Sequence, residues 1–182
     1  MPSRFILQQA TRCVQQGGII AYPTESVYGL GCDPLNINAV EKLLHIKNRS
    51  IEKGLILLSD NLEKLLPFID ATDAQCQQLT QSQNITWLIK TRKQTPCWLT
   101  GQHKKIAVRI TQHPIARALC KHLEQPIISS SANPTTKNAA KTRLQVQQYF
   151  QQQIDFVVPG SVGALNKPTQ IIDMDSQRIL RA

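Results

Sequence analysis

The chain has 182 residues, a formal net charge of +9 and a hydrophobic content of 41%. This length suits one domain over residues 1–182, with a core that needs neither metal nor disulfide support. No apolar run approaches a membrane span, and the amino terminus lacks the pattern of a secretory signal. The five cysteines include no Cys-x-x-Cys pair, which argues against a disulfide framework or a structural zinc site and favours a cytoplasmic protein.

In the amino-terminal half, the spacing of apolar residues predicts helices alternating with strands. Gly17-Gly18 ends the first helix, and Asn36 or Asn38 caps the second. The predicted order is a helix over 5–16, a strand over 19–22, a loop from Pro23 to about Pro34, a helix over 39–46, a polar loop over 47–54, a strand over 55–58, and helices over 59–65 and 73–81.

In the carboxyl-terminal half, strands predominate. Pro114 suits the first turn of a helix, and Thr142 is a candidate helix cap. Several neighbouring strands have no helix between them, so the sequence predicts an α/β protein with a mixed sheet. The predicted order is strands over 85–89 and 106–110, a helix over 114–122, a strand from 126, a helix after Thr142, and strands over 156–158, 170–173 and 179–181.

The positive charge is unevenly distributed. Between Asp73 and Asp155 the only acidic residue is Glu124. A field of one sign attracts an anion such as a nucleotide, a nucleic acid or an acidic partner, and the charge alone does not distinguish ATP from RNA. The basic residues of this stretch are Lys90, Arg92, Lys93, Lys104, Lys105, Arg109, Arg117, Lys121, Lys137, Lys141 and Arg143.

A segment with hydroxyls and glycines follows the first predicted strand. It reads Tyr-Pro-Thr-Glu-Ser-Val-Tyr-Gly-Leu-Gly over residues 22–31. Thr24 and Ser26 supply hydroxyls, while Gly29 and Gly31 permit tight turns and close backbone approach. Loops at the carboxyl ends of strands commonly bind ligands in open α/β sheets. Taken alone, however, the segment is typical of a structural turn.

Lys47 and Arg49 lie two residues apart in a predicted polar loop, just before Lys53-Gly54. In an extended backbone they share a face and point toward the same anion, with Arg supplying a planar fork for phosphate. In isolation, Lys-x-Arg is more often a solvated run of charge.

Ser129, Ser131 and Asn133 follow an apolar strand and share a face if the chain stays extended, which Pro134 favours at Asn133. Hydroxyl and amide groups here suit phosphate or ribose oxygens. A polar turn is an equally good interpretation of this motif by itself.

Arg109 occupies a short predicted strand within the acid-poor stretch. Alternation places Ala107 and Arg109 on one face and Ile106, Val108 and Ile110 on the other. A bound carboxylate or phosphate would supply the partner that this arginine lacks locally. The alternative is an arginine that simply reaches solvent.

Five motifs occur in one order: Tyr-Pro-Thr-Glu…Tyr-Gly-Leu-Gly, Lys-x-Arg, Lys-Gly-Leu, Ala-Val-Arg…His-Pro and Ser-x-Ser-Ala-Asn. With them the chain resembles the YrdC-like domain of threonylcarbamoyl-AMP synthases over about residues 5–181, in the short bacterial single-domain form. The resemblance implies a twisted, mixed sheet wrapped by helices around a deep basic cavity.

The implied activity is a nucleotidyltransferase reaction that forms L-threonylcarbamoyl-AMP, pyrophosphate and water from L-threonine, bicarbonate and ATP. The product is passed to the tRNA threonylcarbamoyltransferase complex, which makes N6-threonylcarbamoyladenosine at position 37 of tRNAs that read codons beginning with A. A direct contact with tRNA is left open.

The same resemblance implies a role for each matched residue. Lys47 and Arg49 are the implied catalytic residues, and Mg²⁺ is held mainly by the ATP phosphates, with no dedicated protein ligand. The implied ATP-binding residues are Lys47, Arg49, Ser131, Asn133 and Arg181. The implied threonine-binding residues are Thr24, Arg109, Ser129 and Thr169.

Three segments depart from the family pattern, and the last of them reads Pro-Thr-Gln-Ile over residues 168–171 in place of Pro-Ser-Thr-Ile. Residues 81–85 stand where Trp-Pro-Gly-Pro is frequent, and Thr135-Thr136 replaces a Ser-Gly pair. Two other functions stay open on the residues alone. The first is an RNA-binding module for tRNA or rRNA without ATP chemistry. Against it, only 5% of the residues are aromatic, and they form no stacking array with the basic residues in the sequence. The second is carbamoyl transfer to another acceptor.

Overall fold

The computed structural model describes residues 1–134 and 137–181. The helices are α1 (Arg4–Gln15), α2 (Ile37–Lys47), α3 (Asp73–Gln81), α4 (Cys97–Thr100), α5 (Pro114–Leu123) and α6 (Arg143–Phe150). The strands are β1 (Ile20–Pro23), β2 (Tyr28–Gly31), β3 (Ile56–Ser59), β4 (Ile85–Lys90), β5 (Lys105–Ile110), β6 (Ile127–Ser131), β7 (Phe156–Val157), β8 (Gln170–Asp173) and β9 (Ile179–Arg181). In the part of the chain described, no helix is long and apolar enough to span a membrane.

The strands form one nine-stranded sheet in the order β7-β1-β2-β6-β3-β5-β4-β8-β9. β1 and β7, β3 and β5, and β4 and β8 pair in parallel, and the other neighbours pair antiparallel. The α/β class and the mixed sheet are therefore confirmed. Antiparallel neighbours such as β1 and β2 need only a short connection, whereas parallel pairs need a longer crossover.

Alternation along the strands divides the core into two apolar clusters. Ile20 and Tyr22 of β1 pack with α1 and α5, whereas Ala21 joins the cluster of α2 and α6 on the opposite face. The same alternation holds at the centre of the sheet, where Leu57 and Leu58 belong to different clusters. Helices α1 and α5 pack on one face of the sheet, where they contact β1, β3 and β7. On that same face the region over β5, β4 and β8 is left uncovered by these two helices.

The helix boundaries follow from local chemistry. Asn36 caps α2 by accepting the Ala39 N–H, and Pro114 occupies the first turn of α5, as predicted. Helices α3 and α6 begin with capping boxes, in which a threonine and a glutamine satisfy each other's free backbone N–H groups. The capping pairs are Thr72 with Gln75 and Thr142 with Gln145.

Two predicted elements are wrong. The predicted loop from Pro23 to Pro34 contains strand β2, because Tyr28–Gly31 pairs with β1 on one side and with β6 on the other. The predicted helix over 59–65 is a series of turns, in which the N–H groups of Leu65 and Leu66 both donate to the Leu62 carbonyl. Neither difference could be read from local apolar spacing.

The expected extended backbone at Lys47 and Arg49 is also wrong. Lys47 is the last residue of α2, and Asn48 follows with a left-handed φ of 48°. This conformation turns the chain sharply, so the backbone from Lys47 to Arg49 is not extended. The chain also bends beyond β6, where the Asn133 N–H donates to the Ser131 carbonyl at 2.9 Å. The Thr135-Thr136 departure from the family pattern lies outside the described residues.

Candidate functional site

A cavity of about 780 Å³ opens on the sheet face that α1 and α5 leave uncovered. Its floor consists of side chains that alternate with core residues on five strands. These floor residues are Ile56, Leu88, Ala107, Ser129 and Ile171. Loops complete the rim at the segment after β1, at the turn after α2 and at the approach to β8. The volume suits a small-molecule ligand.

Positive charge dominates the cavity wall. Of the described residues that line the cavity, six are Lys or Arg, and one, Asp173, is acidic. The Asp173 carboxylate is paired with Lys105, at 2.7 and 2.8 Å from its Nζ. The unbalanced charge therefore favours an anionic ligand. The six cations are Arg49, Lys53, Lys105, Arg109, Lys137 and Arg181.

Arg109 reaches the cavity from β5, as alternation predicts. Its Nη1 donates to Thr169 Oγ1 at 2.9 Å, and its Nη2 lies 3.3 Å from Glu25 Oε2. Its Nε is buried and has no hydrogen-bond partner among the described residues. Thr169 Oγ1 is also 2.9 Å from Thr86 Oγ1, so the guanidinium is held by a buried polar network. A buried donor without a partner is costly, and a bound anion would satisfy it.

Arg49 and Arg181 approach the same cavity from other elements. Arg49 Nη2 donates to the Gly54 carbonyl at 3.0 Å, and its buried Nε has no partner in the described chain. Arg181 Nη2 donates to the Thr169 carbonyl at 2.8 Å. Burial lowers the pKa of Arg181, and the charges of Arg109 and Arg49 lower it further. Three mutually repelling guanidinium groups thus converge on one cavity.

Ser131 and Asn133 form a polar rim where β6 ends. Ser131 Oγ donates to Asn133 Oδ1 at 2.6 Å, and Asn133 Nδ2 donates to the carbonyls of Pro134 and Lys137 at 3.0 and 2.8 Å. These bonds hold the Asn133 amide in one orientation. The Ser131 hydroxyl oxygen still has lone pairs for a ligand.

Lys47 belongs to this rim but does not line the cavity. Its side chain is buried, and its Nζ donates to the main-chain carbonyls of Ser131 and Asn133. Burial lowers the pKa of Lys47 to about 8, with a smaller contribution from the Arg49 charge. The ammonium group therefore supports the Ser131–Asn133 turn from behind.

Thr24 and Ser129 lie side by side against Gly29. A Cβ added at Gly29 would be 3.3 Å from Ser129 Oγ and 3.4 Å from Thr24 Cγ2. Thr24 Oγ1 donates to the Val27 carbonyl at 2.7 Å, so its remaining capacity is to accept. Glycine at this position leaves space beside the Ser129 hydroxyl and the Thr24 methyl group, and both residues line the cavity.

The structure brings most of the proposed residues together. Those along the cavity are Thr24, Arg49, Arg109, Ser129, Ser131, Asn133, Thr169 and Arg181. Sequence reasoning missed Glu25, Thr86 and Lys105, which contact this set or line the cavity. Glu25 carried a signal, because it is the one acid within the Tyr22–Gly31 motif. Residues 81–85 end α3 and enter β4, with Asn84 at a φ of 59°, so that segment leads directly to Thr86.

The fold and the site together define an α/β protein with a cationic, hydroxyl-lined cavity for small anionic ligands. The family model Sua5_yciO_yrdC, described as "Telomere recombination", matches residues 12–182. The chain belongs to this family. A threonylcarbamoyl-AMP synthase of Pseudomonas fluorescens is 44% identical over 184 residues, covering all of this chain and 99% of the relative. The synthase of Pseudomonas aeruginosa gives the same identity and coverage.

Solved structures show the same fold. YciO of E. coli has a TM-score of 0.86 and 28% identity, covering 100% of this chain and 90% of YciO. P. abyssi Sua5 in complex with L-threonine has a TM-score of 0.86 and 27% identity over 92% of this chain. The match covers 50% of that Sua5 chain, so the present chain spans about half of its length.

Proposed function

We propose that the chain catalyses the threonylcarbamoyl-AMP synthase reaction, in which L-threonine, bicarbonate and ATP yield L-threonylcarbamoyl-AMP, pyrophosphate and water. The observation that carries this proposal is the full-length likeness to relatives that bear this enzyme name. The cavity is consistent with it, because it offers cations for phosphates and a separate, partly neutralised arginine for a carboxylate.

The threonine site in this proposal consists of Thr24, Arg109, Ser129 and Thr169. Arg109 binds the carboxylate through its planar fork, for which Thr169 fixes the guanidinium plane. Thr24 can accept a hydrogen bond from the threonine hydroxyl, because its own proton is already donated to Val27. Ser129, on the floor beside Thr24, adds a second hydroxyl.

The nucleotide site in this proposal consists of Arg49, Ser131, Asn133 and Arg181, with Lys47 behind them. Arg49 carries a buried Nε without a partner in the described chain, which is suited to a phosphate oxygen. Lys47 keeps the Ser131–Asn133 turn in place. It reaches a phosphate directly only if its ammonium exchanges the two carbonyls for phosphate oxygens.

The reaction has two steps. The threonine amino group combines with bicarbonate and loses water to give the N-carboxythreonine carbamate. A carbamate oxygen then attacks the α-phosphorus of ATP, and the bond to pyrophosphate breaks. Little covalent work falls to the side chains, so positioning and charge stabilisation by Arg49 and Arg109 are the contributions that we infer from this cavity.

Mg²⁺ enters this proposal with the ATP phosphates. Among the described residues, no three His, Cys, Asp or Glu side chains converge in a way that would hold a metal ion. The acidic residue on the cavity wall, Asp173, is already paired with Lys105. In this proposal Mg²⁺ is held mainly by the ATP phosphates, and none of the steps above depends on a protein ligand.

The proposal extends to the cellular context of the reaction. The adenylate is a reactive mixed anhydride, which suits a transferase as its consumer. In this proposal that consumer is the tRNA threonylcarbamoyltransferase complex in the cytoplasm. The basic cavity rim is the surface on which a contact with tRNA would be sought. An RNA-binding module without ATP chemistry is the less favoured function, because the relatives carry an enzyme name.

A single experiment tests the reaction. The protein is incubated with ATP, Mg²⁺, ¹³C-bicarbonate and L-threonine, and the products are analysed by mass spectrometry. We expect pyrophosphate and an adenylate that carries the ¹³C label. Salt-dependent RNA binding without ATP consumption would support the RNA-binding alternative. In a parallel reaction with carbamoyl phosphate in place of bicarbonate and threonine, a carbamoylated product would indicate carbamoyl transfer instead.

A further inference from the structure

Glu25 is a buried carboxylate that the proposed reaction does not yet use. It follows Thr24 in the loop after β1, and the side chains of Glu25 and Arg109 are each only 8% exposed. A buried carboxylate is retained only when charge and hydrogen bonds offset its loss of hydration. Its partners therefore indicate what it does.

Both carboxylate oxygens of Glu25 have partners in the protein. Oε1 accepts the Thr111 hydroxyl at 2.6 Å and the Gln112 N–H at 3.3 Å, while Oε2 lies 3.3 Å from Arg109 Nη2. Oε2 forms an ion pair but no hydrogen bond within the described chain. Burial alone would raise the pKa of Glu25, but the Arg109 charge and the Thr111 hydrogen bond outweigh it and lower that pKa. Glu25 is therefore an anion in the folded protein.

The backbone around Glu25 is also hydrogen-bonded to the segment that precedes β8. The Leu165 N–H donates to the Glu25 carbonyl at 3.1 Å, and the Gly163 N–H donates to the Thr24 carbonyl at 2.9 Å. A Cβ at Gly163 would lie 2.6 Å from the Glu25 carbonyl oxygen, so this approach requires glycine. The segment before β8 thus clamps the loop that carries the carboxylate.

The three arginines of the cavity differ in their protein partners. Arg109 has a carboxylate beside it, whereas neither Arg49 nor Arg181 forms an ion pair within the described residues. A guanidinium next to a fixed anion attracts a multiply charged phosphate less than an unpaired guanidinium does. It nevertheless keeps N–H donors for a singly charged carboxylate.

We propose that Glu25 is a positioning and specificity-determining residue that orients Arg109 for the amino-acid carboxylate and prevents phosphate groups from occupying it. The cavity is thereby divided into a carboxylate site with little net charge at Arg109 and a strongly cationic phosphate site at Arg49 and Arg181. This inference rests on the proposed function, because it presumes that an amino acid and a nucleotide share the cavity.

The test compares Glu25→Gln with the matched control Glu41→Gln, in which the same change is made at an exposed position on α2. Threonine binding is measured by calorimetry on the full chain at increasing pyrophosphate concentration. For wild type and the control, we expect pyrophosphate to leave the threonine affinity unchanged. For Glu25→Gln, we expect the threonine affinity to fall about tenfold, the effect of losing one charge-assisted contact, and pyrophosphate to become a competitor of threonine.

Competition by pyrophosphate is the readout that a purely structural role would not produce. An unchanged threonine affinity in Glu25→Gln, or a weakened one that pyrophosphate does not affect, would overturn the inference. Failure of wild type to bind threonine at all would instead contradict the proposed function. If Glu25→Gln does not fold, Thr111→Val serves in its place, because it removes the 2.6 Å hydrogen bond that orients the carboxylate. It should weaken threonine binding in the same direction, and normal binding in a folded Thr111→Val protein would also overturn the inference.

Discussion

Arg109 and Thr169 are 60 residues apart in the chain and are joined by a hydrogen bond of 2.9 Å between Nη1 and Oγ1. Thr86 completes the contact from the other side of Thr169, at 2.9 Å between the two hydroxyl oxygens. The three residues meet because β4 pairs antiparallel with β5 and parallel with β8. The proposed carboxylate site is thus set by the sheet before any ligand arrives, which limits the entropy lost on binding.

Replacing Arg109 with alanine should weaken threonine binding much more than ATP binding. We expect a loss of roughly 2–5 kcal/mol, because the substitution removes one partner of a desolvated charge pair. Calorimetric titration of the variant with each ligand measures the two losses of affinity separately. Normal threonine binding with weakened ATP binding would reassign Arg109 to the nucleotide.

Arg49→Ala should abolish adenylate formation while preserving threonine binding, because Arg49 is assigned to the phosphates alone. Arg49→Lys should restore little activity, since a point charge cannot both hold the Gly54 carbonyl and present a planar fork to phosphate. Pyrophosphate release is the measurement, and Arg12→Ala on the exposed side of α1 is the matched control. Full activity of Arg49→Ala would exclude this role.

Threonine should support pyrophosphate release far better than 2-aminobutyrate, which has no hydroxyl. A site that pairs a substrate hydroxyl rejects the analogue lacking it more strongly than an apolar site does. Thr24→Val should reduce the difference in pyrophosphate release rate between threonine and 2-aminobutyrate, because valine cannot accept the hydrogen bond. Equal rates with both substrates in the wild-type enzyme would refute the assignment of hydroxyl recognition to Thr24.

Asp173 should make stability depend on pH in the acid range. Burial acts to raise the pKa of Asp173, but hydrogen bonds with Lys105 and Ser176 outweigh it and lower the value to about 2. A carboxyl whose pKa is lowered on folding stabilises the protein above its unfolded value of about 3.9, and this contribution is lost as the pH falls toward the folded value. Asp173→Asn should therefore cost about 1–2 kcal/mol at neutral pH, after allowance for solvent screening, and progressively less below about pH 4.

Urea unfolding of wild type and Asp173→Asn between neutral and acid pH measures this difference. Asp70→Asn changes an exposed aspartate and serves as the control, with a small effect at every pH. A stability difference between wild type and Asp173→Asn that stays constant down to about pH 3 would contradict the linkage argument.

Gly31→Ala should destabilise the fold more than Gly29→Ala, although both glycines are in β2. A Cβ at Gly31 would fall on the Ile128 carbonyl oxygen, a backbone atom that cannot move aside, and would also lie 2.8 Å from Tyr22 Cε1. At Gly29 the nearest atom is the Ser129 hydroxyl oxygen, at 3.3 Å. We expect Gly31→Ala to cost about 1–3 kcal/mol or more through overpacking, measured by thermal unfolding. Equal melting temperatures for the two variants would show that the sheet can yield at Gly31.

Local preferences made much of the fold predictable. The alternation at residues 106–110 places Arg109 opposite the core, and the helix over 73–81 has the predicted bounds. The cap of α2 was predicted at Asn36 or Asn38, and the structure selects Asn36, while the proline at the start of α5 was predicted directly, because each depends on a few neighbouring residues. The order of five motifs along the chain is enough to indicate the family.

Other features of the site depended on the tertiary structure. Strand β2 exists because Tyr28–Gly31 pairs with β6, about 100 residues later, and its glycines give little local strand signal. Lys47 contacts the carbonyls of Ser131 and Asn133, more than 80 residues later in the chain, and this contact depends on the packing of α2 beside the end of β6.

The pairing of Glu25 with Arg109 is the clearest example of a contact that local sequence patterns do not predict. The chemical groups, the period in which they alternate and the family to which their order belongs follow from the amino-acid sequence. The folded sheet places one cation beside a carboxylate and leaves the others available for phosphate. The reason is physical: periodicity reports the face on which a side chain lies, whereas charge pairing depends on distances of a few ångströms between segments that only the folded sheet brings together.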